Sequence, residues 1–185
     1  MEVFAPIIWN GATPTASGRT RNTPKGFSRK DMKTVNRVNK DRYYLNIAKA
    51  VSERSTCLKR QYGCVIVSND EIISTGYNGS PRGDINCCDT GKCSRLDKPH
   101  NSGDYGECKS VHAEQNAIIS ASRRDMVGAT MYLWGSEVTQ PKNTVPQFEQ
   151  FGPFRATIDK PEPCPICARM IKNAGIAKVV TVSSL

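Results

Sequence analysis

The sequence contains no apolar run near the roughly 18 residues that a membrane-spanning helix requires, which excludes such a helix. Met1 to Arg19 lacks a basic start followed by a long apolar stretch, so no secretory signal is expected and the expected location is the cytoplasm. There is no internal repeat, which excludes a solenoid or propeller. In a secreted chain the eight cysteines would be read as a disulfide framework. Without a secretory signal, and with two of them in a metal-type motif, they are expected to be reduced thiols with metal roles. At 185 residues the chain has the size of one ordinary domain and can bury a core without disulfides.

Acidic residues are scarce at the start. Residues 1–40 hold eight Lys/Arg against two acids, and so carry most of the net charge of +9. Gly11 to Arg29 is also rich in Thr, Pro, Gly and Ser, with too few large apolar side chains to offset the entropy of ordering. A basic, flexible extension over 1–40 is expected, followed by a folded domain over 41–185. Such an extension can hold nucleic acid through phosphates, wrap a neighbouring subunit, or simply be solvated.

Within 41–185, Tyr44, Ile47, Ala48 and Val51 recur at helical spacing, which predicts a helix over Asp41 to Thr56 with Asn39 or Asp41 as N-cap. Gly63 to Val67 and Glu71 to Gly76 flank Ser68-Asn69-Asp70 and read as a hairpin. Residues 84–110 are a cysteine-bearing loop without periodicity. Val111 to Arg124 reads as a helix, Ala129 to Trp134 as a strand, and Gly135 to Glu162 as a long inserted loop. Pro165 to Asn173 reads as a helix closed by Gly175, and Ile176 to Val182 as the last strand. This order implies α/β architecture, a mixed sheet with helices packed on it.

Two motifs carry the chemistry: His112-Ala113-Glu114, and Pro163-Cys164-Pro165-Ile166-Cys167. One imidazole and two thiolates can hold zinc with a fourth position open, and a carboxylate that is not a ligand can shuttle protons. H-x-E followed by P-C-x-x-C is the pattern of zinc-dependent base deaminases. Either motif alone is weak: a lone histidine is usually structural, and a lone C-x-x-C is often redox-active or part of a zinc finger. Cys164 and Cys167 at a helix start can direct both sulfurs to one metal, and Pro165 suits the first helical position. The two helix N-termini favour thiolate.

With these motifs the chain resembles the cytidine and deoxycytidylate deaminase superfamily, and most nearly the dCMP deaminases. The resemblance rests on YYLNIAKAVSERSTC (43–57), GCVIVSNDEIISTGYNGSPRG (63–83), VHAEQNAIISASRRDMVGATMY (111–132) and PCPICARMIKNAGIAKVV (163–180). GYNGSP is the stretch that looks like a dCMP deaminase substrate loop rather than that of tRNA adenosine deaminases. The resemblance implies a three-layer α/β/α sandwich with a mixed central sheet, and conversion of dCMP and water to dUMP and ammonia, feeding dTMP synthesis. It implies His112, Cys164 and Cys167 as zinc ligands and Glu114 as the proton carrier between water, ring N3 and the leaving ammonia. It further implies Asn78 as a hydrogen-bond partner of the sugar, the Ala113 N–H as a donor to the ring carbonyl, a homo-oligomer (often a hexamer) and dCTP and dTTP as effectors.

Arg82, after the substrate loop, and Arg123, at the end of the predicted helix, are candidates for the phosphate, since guanidinium suits it bidentately. Some family members bind a structural zinc in the region of the remaining thiols, so Cys57, Cys87, Cys93 and Cys108 form a candidate second zinc set, with Cys88 and His100 as substitutes. The other reading of that set is free thiols. Cys64, in a strand, reads as a small core residue. Two other functions compete: a deaminase of cytosine or adenine in RNA or single-stranded DNA that uses the basic extension, and an inactive zinc-stabilised binding module. The presence of Glu114 argues against the last, because a structural site has no use for it.

Overall fold

Helix α1 (Lys40–Ser52) begins where Asn39, in extended conformation, accepts the Arg42 N–H at 2.8 Å. Asp41 in its first turn and Lys49 in its last complement the helix dipole. Tyr44, Leu45, Ala48 and Ser52 form its buried face. Strands β1 (Arg60–Ser68) and β2 (Glu71–Tyr77) form the expected hairpin, joined through Asn69 and Asp70. Both turn residues take positive φ, 49° and 68°, the handedness that lets a two-residue turn follow the strand twist. In the computed structural model the described residues are 37–99, 102–103, 105–139 and 154–184. The expected extension over 1–40 therefore lies largely outside them, and Arg37–Leu185 forms one unit.

After a short helix α2 (Cys87–Thr90) come α3 (Ala113–Ile119) and α4 (Arg123–Met126), then β3 (Thr130–Thr139), β4 (Phe154–Thr157), α5 (Pro165–Ala174) and β5 (Lys178–Val180). The sheet runs β2-β1-β3-β4, and β5 pairs with β3. All pairings are antiparallel except β3 with β5, so the sheet is mixed. Alternation along β1 sends Val65 and Val67 to one face and Cys64 and Ile66 to the other. On the first face they meet α1, with Tyr132, Trp134 and Val180. On the second they meet α3, α4 and α5 through Ala113, Ala117, Met126, Ile171 and Ala174. Helices thus cover both faces and give the three layers implied by the resemblance. Cys64, fully buried, is the core residue it was expected to be. Among the described residues no helix is long and apolar enough to cross a membrane.

Several boundaries differ from the sequence reading: the first helix ends at Ser52, short of Thr56, and the first strand starts at Arg60, before Gly63. The helix expected over Val111 to Arg124 stops at Ile119 and restarts at Arg123, with Ser122 as N-cap of the second piece. Serine competes for backbone hydrogen bonds, and Ser120 and Ser122 stand at the break. The strand expected to end at Trp134 continues to Thr139, where Ser136 to Thr139 pair with β4. The stretch 135–162 is thus partly sheet; its centre, 140–153, lies outside the described residues. The last strand is shorter than expected, three residues of β5.

Helix α3 sits unusually close to the sheet. A Cβ on Gly76 of β2 would lie 2.3 Å from the Ala113 carbonyl oxygen and 2.4 Å from the Ala117 nitrogen. Ser74 Oγ donates to the Ala117 carbonyl at 2.6 Å, and Asn116 Nδ2 to the Tyr77 carbonyl at 2.7 Å. Gly76→Ala must push α3 off the sheet. We expect a loss of about 1–3 kcal/mol or more in urea unfolding, together with weaker zinc retention, because His112 caps this helix.

Candidate active site

His112 is the N-cap of α3 rather than a member of its first turn, and Cys164 is the N-cap of α5. The His112 N–H donates to Gln115 Oε1 at 2.9 Å, and Cys164 Sγ accepts the Cys167 N–H at 3.5 Å. Pro165 takes the first helical position of α5, where no N–H is missed. The two helix starts converge. His112 Nδ1 lies 3.5 Å from Cys164 Sγ and 3.4 Å from Cys167 Sγ. Their ligand atoms all lie within 4.8 Å of one another, the one such group among the described residues.

This donor set fits zinc. Two soft sulfurs and an imidazole are three ligands of a tetrahedron with one position left. Burial, then the neighbouring Arg95 guanidinium, hold the His112 pKa below its usual value, so the ring is neutral and able to ligate. Burial, then the charges of Glu114 and Cys164, push the Cys167 thiol far up, so that it ionises readily only against a cation.

Glu114 is 4% exposed, in the first turn of α3. Burial raises its pKa, opposed by its own backbone N–H and by Cys167. A carboxyl near this group that is not one of its three ligands can hold and release a proton. The cavity over it measures about 300 Å³ and is lined by His112, Ala113, Glu114 and Cys164, with Asn78 and Tyr62. The loop after β2 reaches it through a bridge to the residue before His112: Val111 N–H to the Gly79 carbonyl at 2.8 Å, and Gly79 N–H to the Val111 carbonyl at 3.2 Å.

Asn78 is buried and held by the protein itself. Its Oδ1 accepts the Tyr62 N–H and the Ser55 hydroxyl, both at 2.7 Å, and its Nδ2 donates to the Arg60 carbonyl at 2.9 Å. One amide hydrogen remains for a ligand. Ala113 lines the cavity at the first position of α3, where a backbone N–H has no intrahelical acceptor.

The two arginines expected at the phosphate are placed elsewhere. Arg82 is exposed in a turn outside the cavity lining. Arg123 opens α4, beyond the far end of α3; at 1.5 Å per residue, seven helical residues put about 10 Å between that end and the cavity. The cavity's cations are instead Lys59, Arg60 and Arg95. These the sequence reading missed. Only strand parity could have found Arg60 and Tyr62, which stand four and two residues before the core residue Cys64 on the same face of β1.

Cys57, Cys93 and Cys108 also line the cavity. Burial first, then Cys87 and Cys108, raise the Cys57 thiol to about 11 against the hydrogen-bonding hydroxyl of Ser110. Burial, then Cys93, Cys108 and Cys88, raise Cys87. These thiols are therefore neighbours, though no three of them come within the 4.8 Å spacing seen at His112. Cys88 is exposed beside Asp89, and His100 lies outside the described residues.

Residues 38–183 match the family model for the cytidine and deoxycytidylate deaminase zinc-binding region. A deoxycytidylate deaminase of Mycobacterium phage D29 is 33% identical over 152 residues, covering 79% of this chain and 96% of that protein. The Schizosaccharomyces pombe deoxycytidylate deaminase is 40% identical over 95 residues, 51% of this chain. The chain spans 29% of the length of that relative and 33% of the Saccharomyces cerevisiae one. A cyanophage S-TIM5 dCMP deaminase structure is 25% identical with a TM-score of 0.48, over 76% of this chain and 80% of that one. With most of its length matched by the family model, the chain belongs to the cytidine and deoxycytidylate deaminase family.

Proposed function

We propose that the protein hydrolyses dCMP to dUMP and ammonia, with His112, Cys164 and Cys167 holding the zinc and Glu114 carrying protons. The observation that carries this reading is the buried Glu114 carboxyl sharing a cavity with His112 and Cys164 of a three-ligand group completed by Cys167. The phage relative, matched over nearly its whole length, bears the name of that activity.

Zinc held there supplies a Lewis acid that makes a water nucleophilic at neutral pH. Glu114 accepts a proton from the attacking water and passes it to ring N3, while the water oxygen adds at C4. Glu114 then relays the second proton to the amine, the C4–N bond breaks, and ammonia leaves. Its burial supports the role, since burial raises its pKa and so favours holding a proton taken from the water until it is handed on. In this reading the spare Asn78 amide hydrogen serves the sugar, and the Ala113 N–H serves the ring carbonyl.

A second, structural zinc on Cys57, Cys87, Cys93 and Cys108 belongs to the same proposal. It is supported by the mutual field of these thiols in a stretch with little core of its own. Assembly as a homo-oligomer and control by dCTP and dTTP rest on the resemblance alone. Ammonia release from dCMP, CMP, deoxycytidine and a cytosine-containing oligonucleotide, measured side by side, tests the reading. dCMP is expected to turn over fastest. An oligonucleotide deaminated while dCMP stays untouched overturns it in favour of a nucleic-acid deaminase.

A further inference from the structure

We propose that Ser55, which is not among the residues lining the cavity, is a positioning residue for the reaction: its hydroxyl holds the Asn78 side-chain amide so that one N–H faces the substrate. This rests on the reading of the cavity as a cytosine-nucleotide site with Asn78 at the sugar.

Two segments hold Asn78 between them. From β1, the Tyr62 N–H donates to Oδ1 at 2.7 Å, and the Arg60 carbonyl accepts from Nδ2 at 2.9 Å. The Asn78 N–H donates in turn to the Tyr62 carbonyl at 3.3 Å. From the stretch 55–57, ahead of β1, the Ser55 hydroxyl lies 2.7 Å from Oδ1 and 2.9 Å from the Asn78 carbonyl oxygen. The Thr56 N–H donates to that same carbonyl at 3.4 Å. Oδ1 thus has both acceptor positions filled, and the second Nδ2 hydrogen is the one left for the cavity. The β1 partners are main-chain groups that any residues there would supply. Ser55 is the partner that depends on a side chain.

Ser55 is itself strapped in place. Gln61, 6% exposed, spans the Ser55 and Cys57 carbonyls from Nε2, at 3.4 Å each. Ser55 Oγ also accepts the Cys57 N–H at 3.3 Å and lies beside the Cys57 thiol. The next residue after Asn78 comes equally near this stretch: a Cβ on Gly79 would lie 2.5 Å from Thr56 Oγ1. An amide held this way meets its ligand already ordered, so the ligand does not bear the cost of ordering it. That predicts an effect on binding more than on the bond-breaking step.

The test starts with Ser55→Ala in the zinc-loaded full chain. KM for dCMP is expected to rise about 3- to 10-fold, the worth of one hydrogen bond, with kcat kept within about twofold. In an Asn78→Ala background the same change should alter KM by less than about twofold, because the group it positions is gone. Side-chain NMR reads the support without turnover and without the second substitution. Solvent exchange of the Asn78 Nδ2 hydrogen held by Arg60 is expected to quicken about 3- to 10-fold in Ser55→Ala. The Asn116 amide, bonded to the Tyr77 carbonyl at 2.7 Å, should keep its rate. An unmoved Asn78 amide, an equal acceleration at Asn116, or the same change in KM with and without Asn78 overturns the proposal. If the parent turns over no cytosine compound while the Asn78 exchange responds as expected, the support stands and the deaminase reading falls.

Discussion

A Glu114→Gln protein is expected to keep its zinc and to lose about 10²- to 10⁴-fold in the rate of ammonia release from dCMP. Glutamine has the same length and shape, so the packing around this 4%-exposed side chain is preserved. The three ligand atoms belong to other residues. What disappears is a group able to take a proton and return it at a new atom. Initial rates with metal content measured on the same samples check this. Parent-like rates with full zinc would remove Glu114 from the chemistry and leave the cavity without its proton carrier.

Removing the metal is expected to have the second largest effect, and on folding as well as on rate. His112 and Cys164 cap two different helices, so a metal between them ties α3 to α5. A ligand that binds only the folded state stabilises it by about 4 kcal/mol at a thousandfold excess over its dissociation constant. A chelator or Cys167→Ser should therefore lower the urea midpoint markedly and abolish turnover. Affinity should also rise with pH. His112 is already neutral near pH 7, but the Cys167 thiol, raised by burial and by neighbouring negative charge, must release its proton to bind. Lower pH keeps that proton in place and competes with the metal; calorimetry in buffers of different ionisation enthalpy reads the release. If the second set binds, metal analysis should find two zinc ions per chain, and Cys108→Ser should remove one. A single ion in the parent would make these thiols a free cluster.

The group of His112, Cys164 and Cys167 with Glu114 was legible because its pattern is local. Two short motifs put each ligand at a helix start, and the fold had only to bring two starts together. The hairpin was equally plain, since Asn69-Asp70 suits a turn of positive φ. Strand length was not legible where pairing decides it. Ser136 to Thr139 would read as loop in isolation, and β4 turns that stretch into sheet. The cavity wall was hidden for a related reason. Arginines near the motifs in sequence, Arg82 and Arg123, point to other places, whereas Arg60 and Tyr62 reach the site through strand parity. Arg95 reaches it through a loop whose path depends on Lys59 and on backbone carbonyls distant in sequence.

That loop also divides the protein into parts of unequal permanence. None of the described residues between 84 and 110 is buried, whereas Cys64 to Val67 of β1 all are. The loop is held by polar ties: Lys59 to two carbonyls, the Cys88 N–H to the Thr56 carbonyl at 3.2 Å, and the Ser94 hydroxyl to the Glu107 carbonyl at 2.8 Å. Opening the described part of it costs a few polar ties, those of Lys59 partly buried, and little apolar surface, so it lies below the sheet on the local-unfolding scale. Without a metal on its thiols, the described part of this wall is expected to open before the sheet and the two capped helices do. Ligand traffic and global unfolding would then be governed by separate barriers.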